Sequence, residues 1–270
     1  MNKDQLFLAL WANYAERTPS ADLVKVFFEQ EGNTVLNDHI AIRTFNDPRV
    51  NIDVLAKPFL ALGYKHSGSY NFEKKKLDAH HFELEGDAEA PRVFISQLRV
   101  EEFDSETQEI IKNIIDSADQ SLYQKDDLIL RGAVWGKPSY AKYERLLEKS
   151  EYAAWMYING FCANHFTVDV NALDTFKDLQ SVNTFIKSKG FELNTSGGEI
   201  KGSKEIMLEQ SSILADRIEM EFEEGSFEVT SCYYEFAFRH PKEDGELFSG
   251  FVAGSADKIF ESTNMKVRKS

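Results

Sequence analysis

The sequence predicts an α+β fold built from two βαβββ modules, and three observations predict it. The first is an internal echo. The run NDHIAIRTF at 37–45, a helical stretch and GYKHSG return as ANHFTVDVN at 163–171, a second helical stretch and GFELNTSG. The second is spacing: His39 precedes Gly63 by 24 residues, and His165 precedes Gly190 by 25. Each glycine comes after a helical stretch, where a positive φ is often needed. The third is the set of strand-like runs that completes each half. AHHFEL and RVFISQLRV close the first half, and EIMLEQ, ADRIEMEF and CYYEFAFR close the second, punctuated by Gly197-Gly198 and EEGS.

The elements can be justified in order. Leu6, Leu8, Leu10, Trp11 and Tyr14 recur at helical spacing until Pro19-Ser20 punctuates the chain. A second helix over about residues 20–30 carries Leu23, Val24, Val26, Phe27 and Phe28, and Gly32-Asn33 ends it. In the strand 37–45, Ile40, Ile42 and Thr44 alternate with His39, Ala41 and Arg43, so His39 and Arg43 share a face. Between the halves, SETQEIIKNIIDSADQSLYQK reads as a helix with Ile110, Ile111, Ile114, Ile115 and Leu122 on one side and Ser105 as its cap. Lys137-Pro138-Ser139 then opens YAKYERLLEKSEYAAWMYI, read as one further amphipathic helix. No Pro- or Ser-rich linker interrupts the chain, so a single domain over 1–270 is expected. Within it, 1–100 holds the N-terminal helices and first module, 101–160 the helical connection, 161–240 the second module and 241–270 a tail.

Composition narrows the function. With 42% hydrophobic and 28% charged residues over 270 positions, the chain is of soluble globular type. Its 31 basic and 45 acidic residues leave a net charge of −14. That balance argues against nucleic acid or an anionic membrane as the main partner, while a small anion in a locally positive pocket remains open. Cys162 and Cys232 are too few for a disulfide framework. The first 20 residues lack a signal-type apolar core, and no run of 18 apolar residues occurs, so a cytoplasmic protein is expected. No GxSxG, GxxxxGK[ST], HExxH or GxGxxG motif is present.

Chemistry concentrates at the echo. Of six histidines, His39 and His165 occupy equivalent strand positions of the two repeats. Packing gives no reason to repeat an ionisable residue, whereas two imidazoles converging across a pseudo-symmetric sheet make half of a metal site. Glu235, among Tyr233, Tyr234, Phe236 and Phe238, reads as a buried carboxylate that needs a partner or a metal. Glu219, Glu221 and Glu223 alternate with Met220 and Phe222 and read as a solvated acidic face. Two imidazoles and a carboxylate form the facial triad of Fe(II) oxygenases, with room for a bidentate 2-oxo acid and dioxygen, and the same set also holds Zn²⁺, Mn²⁺ or Ni²⁺. Arg43, on the face of His39, is suited to clamp a substrate carboxylate, with a structural pairing to Asp38 or Asp47 as the alternative. Of His80 and His81, at most one can face the site. The two cysteines read as buried and structural.

These residues carry a resemblance. NDHIAIRTF, WGKPSYAKYERLLEKSEYAAWMYINGFCANHFTVDVN and YYEFAFR resemble the 2-oxoadipate dioxygenase/decarboxylase family over nearly the whole chain. The resemblance implies the vicinal oxygen chelate fold, a cupped mixed sheet around a metal. It implies His39, His165 and Glu235 as metal ligands and Arg43 as the residue that binds the substrate carboxylate. It also implies an Fe(II)-dependent reaction of 2-oxoadipate with O₂ that yields 2-hydroxyglutarate and CO₂. Val252 and Ser255 in FVAGSADKIFEST are candidates to close the substrate pocket, with simple packing of the tail as the alternative. The chain looks shorter than members for which that activity is implied, which leaves other 2-oxo acids open as substrate. The rival readings are a Zn²⁺ or Ni²⁺ isomerase or hydrolase on the same scaffold, and a non-catalytic small-ligand-binding protein.

Overall fold

Residues 37–45 alternate across a pleat because every second side chain meets helices, and the opposite side chains meet a polar interior. The computed structural model describes residues 1–87 and 89–252, so Ser255 lies outside the described residues. The chain runs α1 (Lys3–Arg17), α2 (Pro19–Gln30), β1 (Asn37–Phe45), α3 (Ile52–Ala61), β2 (Lys65–Phe72), β3 (Leu77–Glu83) and β4 (Arg92–Leu98). It continues through α4 (Ser105–Ser117), α5 (Tyr140–Lys149), α6 (Glu151–Asn159), β5 (Ala163–Asp169) and α7 (Leu179–Ser188). It then forms β6 (Lys201–Ser203), β7 (Leu208–Ser212), β8 (Arg217–Phe222), β9 (Gly225–Thr230) and β10 (Tyr233–Arg239).

Eight strands form one mixed sheet in the order β2-β3-β4-β1-β5-β10-β7-β6. The order is symmetric about the β1/β5 seam. Each module opens with a strand that pairs in parallel with its last strand, β1 with β4 and β5 with β10, and its remaining pairings are antiparallel. The two opening strands meet antiparallel, with Ala41 opposite His165 and His39 opposite Thr167. The expected pair of βαβββ modules is therefore present, and the echo places both histidines at the seam.

The outer face of the sheet is the main core. Trp11 of α1 packs edge-on against Phe166 at 5.1 Å, and Phe28 of α2 packs against Phe236 at 6.0 Å. These rings bury large apolar areas and fix the helices to the sheet. On the inner face, α6 is bolted down by polar groups. The Tyr152 hydroxyl accepts from the Thr44 N–H at 3.0 Å and donates to the Ser96 carbonyl at 2.8 Å, and Trp155 Nε1 donates to the Ser231 carbonyl at 3.0 Å. Gly160 ends α6 at φ +63°, and a Cβ there would stand 2.3 Å from the Gly132 oxygen, so only glycine fits.

Three local expectations are corrected. ADRIEMEF does not join the main sheet: β8 pairs with β9 in a separate hairpin. That hairpin packs on α5, where Tyr140 stacks on Phe227 at 3.7 Å, and Glu224 accepts from the Tyr140 N–H at 2.6 Å. Period-two alternation identifies a strand without saying which sheet it joins. The helix expected from YAKYERLLEKSEYAAWMYI is two helices, because Ser150 is extended and its hydroxyl caps α6 by accepting from the Ala153 N–H at 3.1 Å. The cap of α4 is Asp104, which accepts from the Thr107 N–H at 2.9 Å, in place of Ser105. Glu219, Glu221 and Glu223 are exposed, as their alternation predicts.

Candidate active site

Strand periodicity and register build the site. His39, Ala41 and Arg43 stand on the inner face of β1, His165 and Thr167 on that of β5, and Tyr233, Glu235 and Arg239 on that of β10. His39, His165 and Glu235 are all buried, and one ligand atom from each lies within 4.8 Å of the others. His165 Nε2 is 3.2 Å from one oxygen of Glu235, and His39 Nε2 is 3.7 Å from the other. Ligands held at ~2.1 Å in adjacent coordination positions stand about 3 Å apart, so these separations suit one shared ion.

Proton positions make the same point. His39 donates its Nδ1–H to Asp38 at 2.8 Å, which leaves Nε2 an acceptor, met by the Thr167 hydroxyl at 3.1 Å. His165 gives Nδ1–H to Asn164 Oδ1 at 3.2 Å, so its Nε2 is also an acceptor. Glu235 Oε1 accepts from Gln210 at 2.5 Å, while Oε2 has no hydrogen-bond partner among the described residues. His165 Nε2 and Glu235 Oε2 thus face each other at 3.2 Å as two acceptors with no donor between them among the described residues, which calls for a shared proton or a cation. Burial pushes Glu235 up to about 8 and pushes both imidazoles down, His165 far down. A bound cation would reverse this sense by favouring the anionic carboxylate. The residues present therefore fit a divalent metal, with His39 and His165 oriented by side-chain acceptors as metal-binding imidazoles are.

Asp38, which orients His39, belongs to a larger charged group that sequence reasoning missed. Arg239 grips both its oxygens, at 2.6 and 2.9 Å, and Arg92 adds a contact at 3.3 Å. Burial alone would raise Asp38, but Arg239 and His39 outweigh it and hold the carboxylate well below its usual range. The signal for Arg239 was available: it stands four residues after Glu235 on one strand face, as Arg43 does after His39. Nearby Asp169 is raised to about 6, first by burial and then by Asp38. A raised carboxyl contributes stability below the ordinary aspartate range, and that stability is lost as pH rises through about 6. Asp169→Asn should therefore raise the melting temperature by about 2–4 °C at neutral pH and have little effect at about pH 4. An equal change at both pH values would show that the carboxyl is not strained by its charge.

Arg43 is only 1% exposed. Its guanidinium lies over the rings of Tyr152 at 4.9 Å and Trp155 at 5.0 Å and meets Glu151 at 3.3 Å. The alternative partners are taken elsewhere: Asp38 by Arg239 and Asp47 by Arg49. His81, not His80, is the buried member of its pair, but it is held by Tyr70 at 3.0 Å and Glu83 at 2.8 Å, away from the triad. Cys162 and Cys232 are buried free thiols. At the end of the described chain, the Phe251 ring packs on His39 at 4.8 Å and Phe94 at 5.0 Å, and its N–H donates to Tyr70 at 3.1 Å. Arg239 latches this segment through the Phe248 and Gly250 carbonyls, both at 2.8 Å. Val252 comes next in the chain and is half-buried.

A buried two-histidine, one-carboxylate cluster at the seam of paired βαβββ modules defines a candidate metal centre on a vicinal oxygen chelate-like fold. The chain belongs to the 2-oxoadipate dioxygenase/decarboxylase family, a family of enzymes, whose model matches residues 12–245. It is 34% identical to the chloroplastic 2-oxoadipate dioxygenase/decarboxylase of Arabidopsis thaliana, over 93% of this chain and 74% of that protein. A Shewanella frigidimarina crystal structure, provisionally named a hydrolase, is 48% identical with a TM-score of 0.88, covering 93% of this chain and 98% of its own. The hydroxyglutarate synthase of Oryza sativa, solved with 2-oxoadipate, is 31% identical with a TM-score of 0.89, covering 99% and 95%.

Proposed function

We propose that the protein is an Fe(II)-dependent dioxygenase that decarboxylates a 2-oxo dicarboxylic acid of the 2-oxoadipate type, giving 2-hydroxyglutarate and CO₂ when 2-oxoadipate is the substrate. The observation that carries this reading is the buried cluster of His39, His165 and Glu235, in which His165 Nε2 and Glu235 Oε2 face each other without a donor among the described residues, on the strand face that also carries the buried Arg43. The substrate reading is supported by the rice hydroxyglutarate synthase, which was solved with 2-oxoadipate.

His39 Nε2, His165 Nε2 and the Glu235 carboxylate would hold the metal. The iron supplies the means to bring a 2-oxo acid and dioxygen together in one coordination sphere. The chain's own residues supply orientation. Arg43 holds the distal carboxylate of the substrate, in place of its contact with Glu151. Four strand residues separate the His39 and Arg43 Cα atoms by about 13 Å, a span that both side chains shorten from the same face. A short dicarboxylate fits that arrangement. Phe251, on His39, keeps water from the reacting end. The atoms balance without a further reductant. The old carboxyl carbon leaves as CO₂, one atom of dioxygen ends in the carboxylate formed at the old keto carbon, and the other ends in the new hydroxyl.

Anaerobic loading with Fe(II), followed by dioxygen uptake with a panel of 2-oxo acids led by 2-oxoadipate, tests the reading. Uptake matched by equal CO₂ release and a 2-hydroxy acid product is expected. Bound metal without uptake for any acid would overturn the dioxygenase reading and leave the isomerase or hydrolase alternative.

A further inference from the structure

Among the described residues, the Tyr233 hydroxyl is a buried donor of the site that the metal reading leaves unused. Tyr233 is fully buried, and its hydroxyl makes no hydrogen bond among the described residues. Buried hydroxyls are nearly always paired, so an orphan beside the candidate metal ligands points to a missing partner. The ring stacks on His165 at 4.7 Å with 29° between the planes, and Glu235 is two residues on along the same strand face. Its fold contacts do not use the hydroxyl. The backbone carbonyl of Tyr233 accepts from Tyr14 at 2.6 Å, and the stacked ring would pack equally well as phenylalanine. Register sets Tyr233 beside His165, which faces Ala41, one pleat from the row of Glu235, Thr167 and His39 and, along β1, one pleat from Arg43. The orphan donor therefore stands on the inner face in the row between that of Glu235 and His39 and that of Arg43, the span a bound diacid would cover.

We propose that Tyr233 donates its O–H to the distal carboxylate held by Arg43, and so helps select dicarboxylic over monocarboxylic 2-oxo acids. This rests on the 2-oxo acid reading above. A hydroxyl is suited to the task because it supplies a donor without adding a second buried charge beside Arg43. Without a diacid the donor has no partner among the described residues. With one, it gains a charge-assisted hydrogen bond.

The test uses the Fe(II)-loaded protein without oxygen, titrated calorimetrically with 2-oxoadipate and with 2-oxohexanoate, which has the same chain length and no distal carboxylate. Tyr233→Phe should weaken 2-oxoadipate binding roughly ten- to a hundredfold and leave 2-oxohexanoate binding unchanged. Its metal content should equal that of the unsubstituted protein, and without ligand it should melt no lower. Equal weakening for both acids would overturn the proposal, because the hydroxyl would then act at the shared 2-oxo end. No weakening for either would overturn it as well. A clear drop in melting temperature without ligand would show that the hydroxyl is already partnered in the folded chain, with the same consequence. If the unsubstituted protein bound neither acid, the functional reading itself would fail and this inference with it.

Discussion

His165→Ala should purify with essentially no metal after loading with Fe(II) or Zn²⁺, and its dioxygen uptake should vanish. The substitution removes one of the three proposed ligands, and no described residue nearby can make good its loss. His81 is engaged by Tyr70 and Glu83, and the Asp38 carboxylate is gripped by Arg239. The truncation also leaves Glu235 facing a void, with one oxygen still lacking a donor and its pKa still raised by burial. The variant should therefore fold, with Glu235 protonated at neutral pH. Metal analysis by mass spectrometry, with circular dichroism as the folding check, reads the outcome directly. His81→Ala is the matched control, since it removes a buried imidazole on the same sheet and should keep its metal. Metal content unchanged in His165→Ala would refute the assignment of the triad.

The triad was legible in the sequence because the internal repeat made it so. Equivalent positions of two βαβββ modules meet at a pseudo-symmetric seam, so His39 and His165 had to converge once the echo was accepted. Glu235 emerged as a single carboxylate among aromatic residues on a buried strand, an arrangement too costly to be accidental. What stayed hidden depends on contacts between distant segments. Glu151 reaches Arg43 only because Ser150 breaks one expected helix into two, and a single capping hydroxyl does not override helical periodicity on paper. Arg239 and Asp38 are 201 residues apart, and nothing local announces their pairing. Tyr233 looked like one more aromatic residue of a core strand; what sets it apart is a hydroxyl with no partner among the described residues on the face that carries His165. The hairpin of β8 and β9 was read as strands but assigned to the wrong sheet, since alternation fixes a strand's faces and not its neighbours.

Arg43→Gln should lose most of its catalytic efficiency toward a diacid while keeping its metal, which separates it from the His165 variant. The guanidinium is buried, flanked by the Tyr152 and Trp155 rings and paired with Glu151, so its charge sits where solvent screens little. Removing one member of such a buried charge pair costs about 2–5 kcal/mol in the complex, which is roughly thirty- to several-thousandfold in kcat/KM for 2-oxoadipate. Most of that loss should fall in KM, because the distal carboxylate is held alike in the ground and transition states. Glu151 is partly exposed, so water can satisfy it once its partner is gone, and the fold should survive. Arg43→Lys should recover only part of the loss, since an ammonium keeps the charge but not the planar fork that meets a carboxylate with two hydrogen bonds. 2-Oxohexanoate, which has no distal carboxylate, should respond little to either substitution. An Arg43→Gln protein that turned over the diacid with unchanged KM would reduce Arg43 to a structural partner of Glu151 and remove the case for a diacid substrate, even with the metal triad intact.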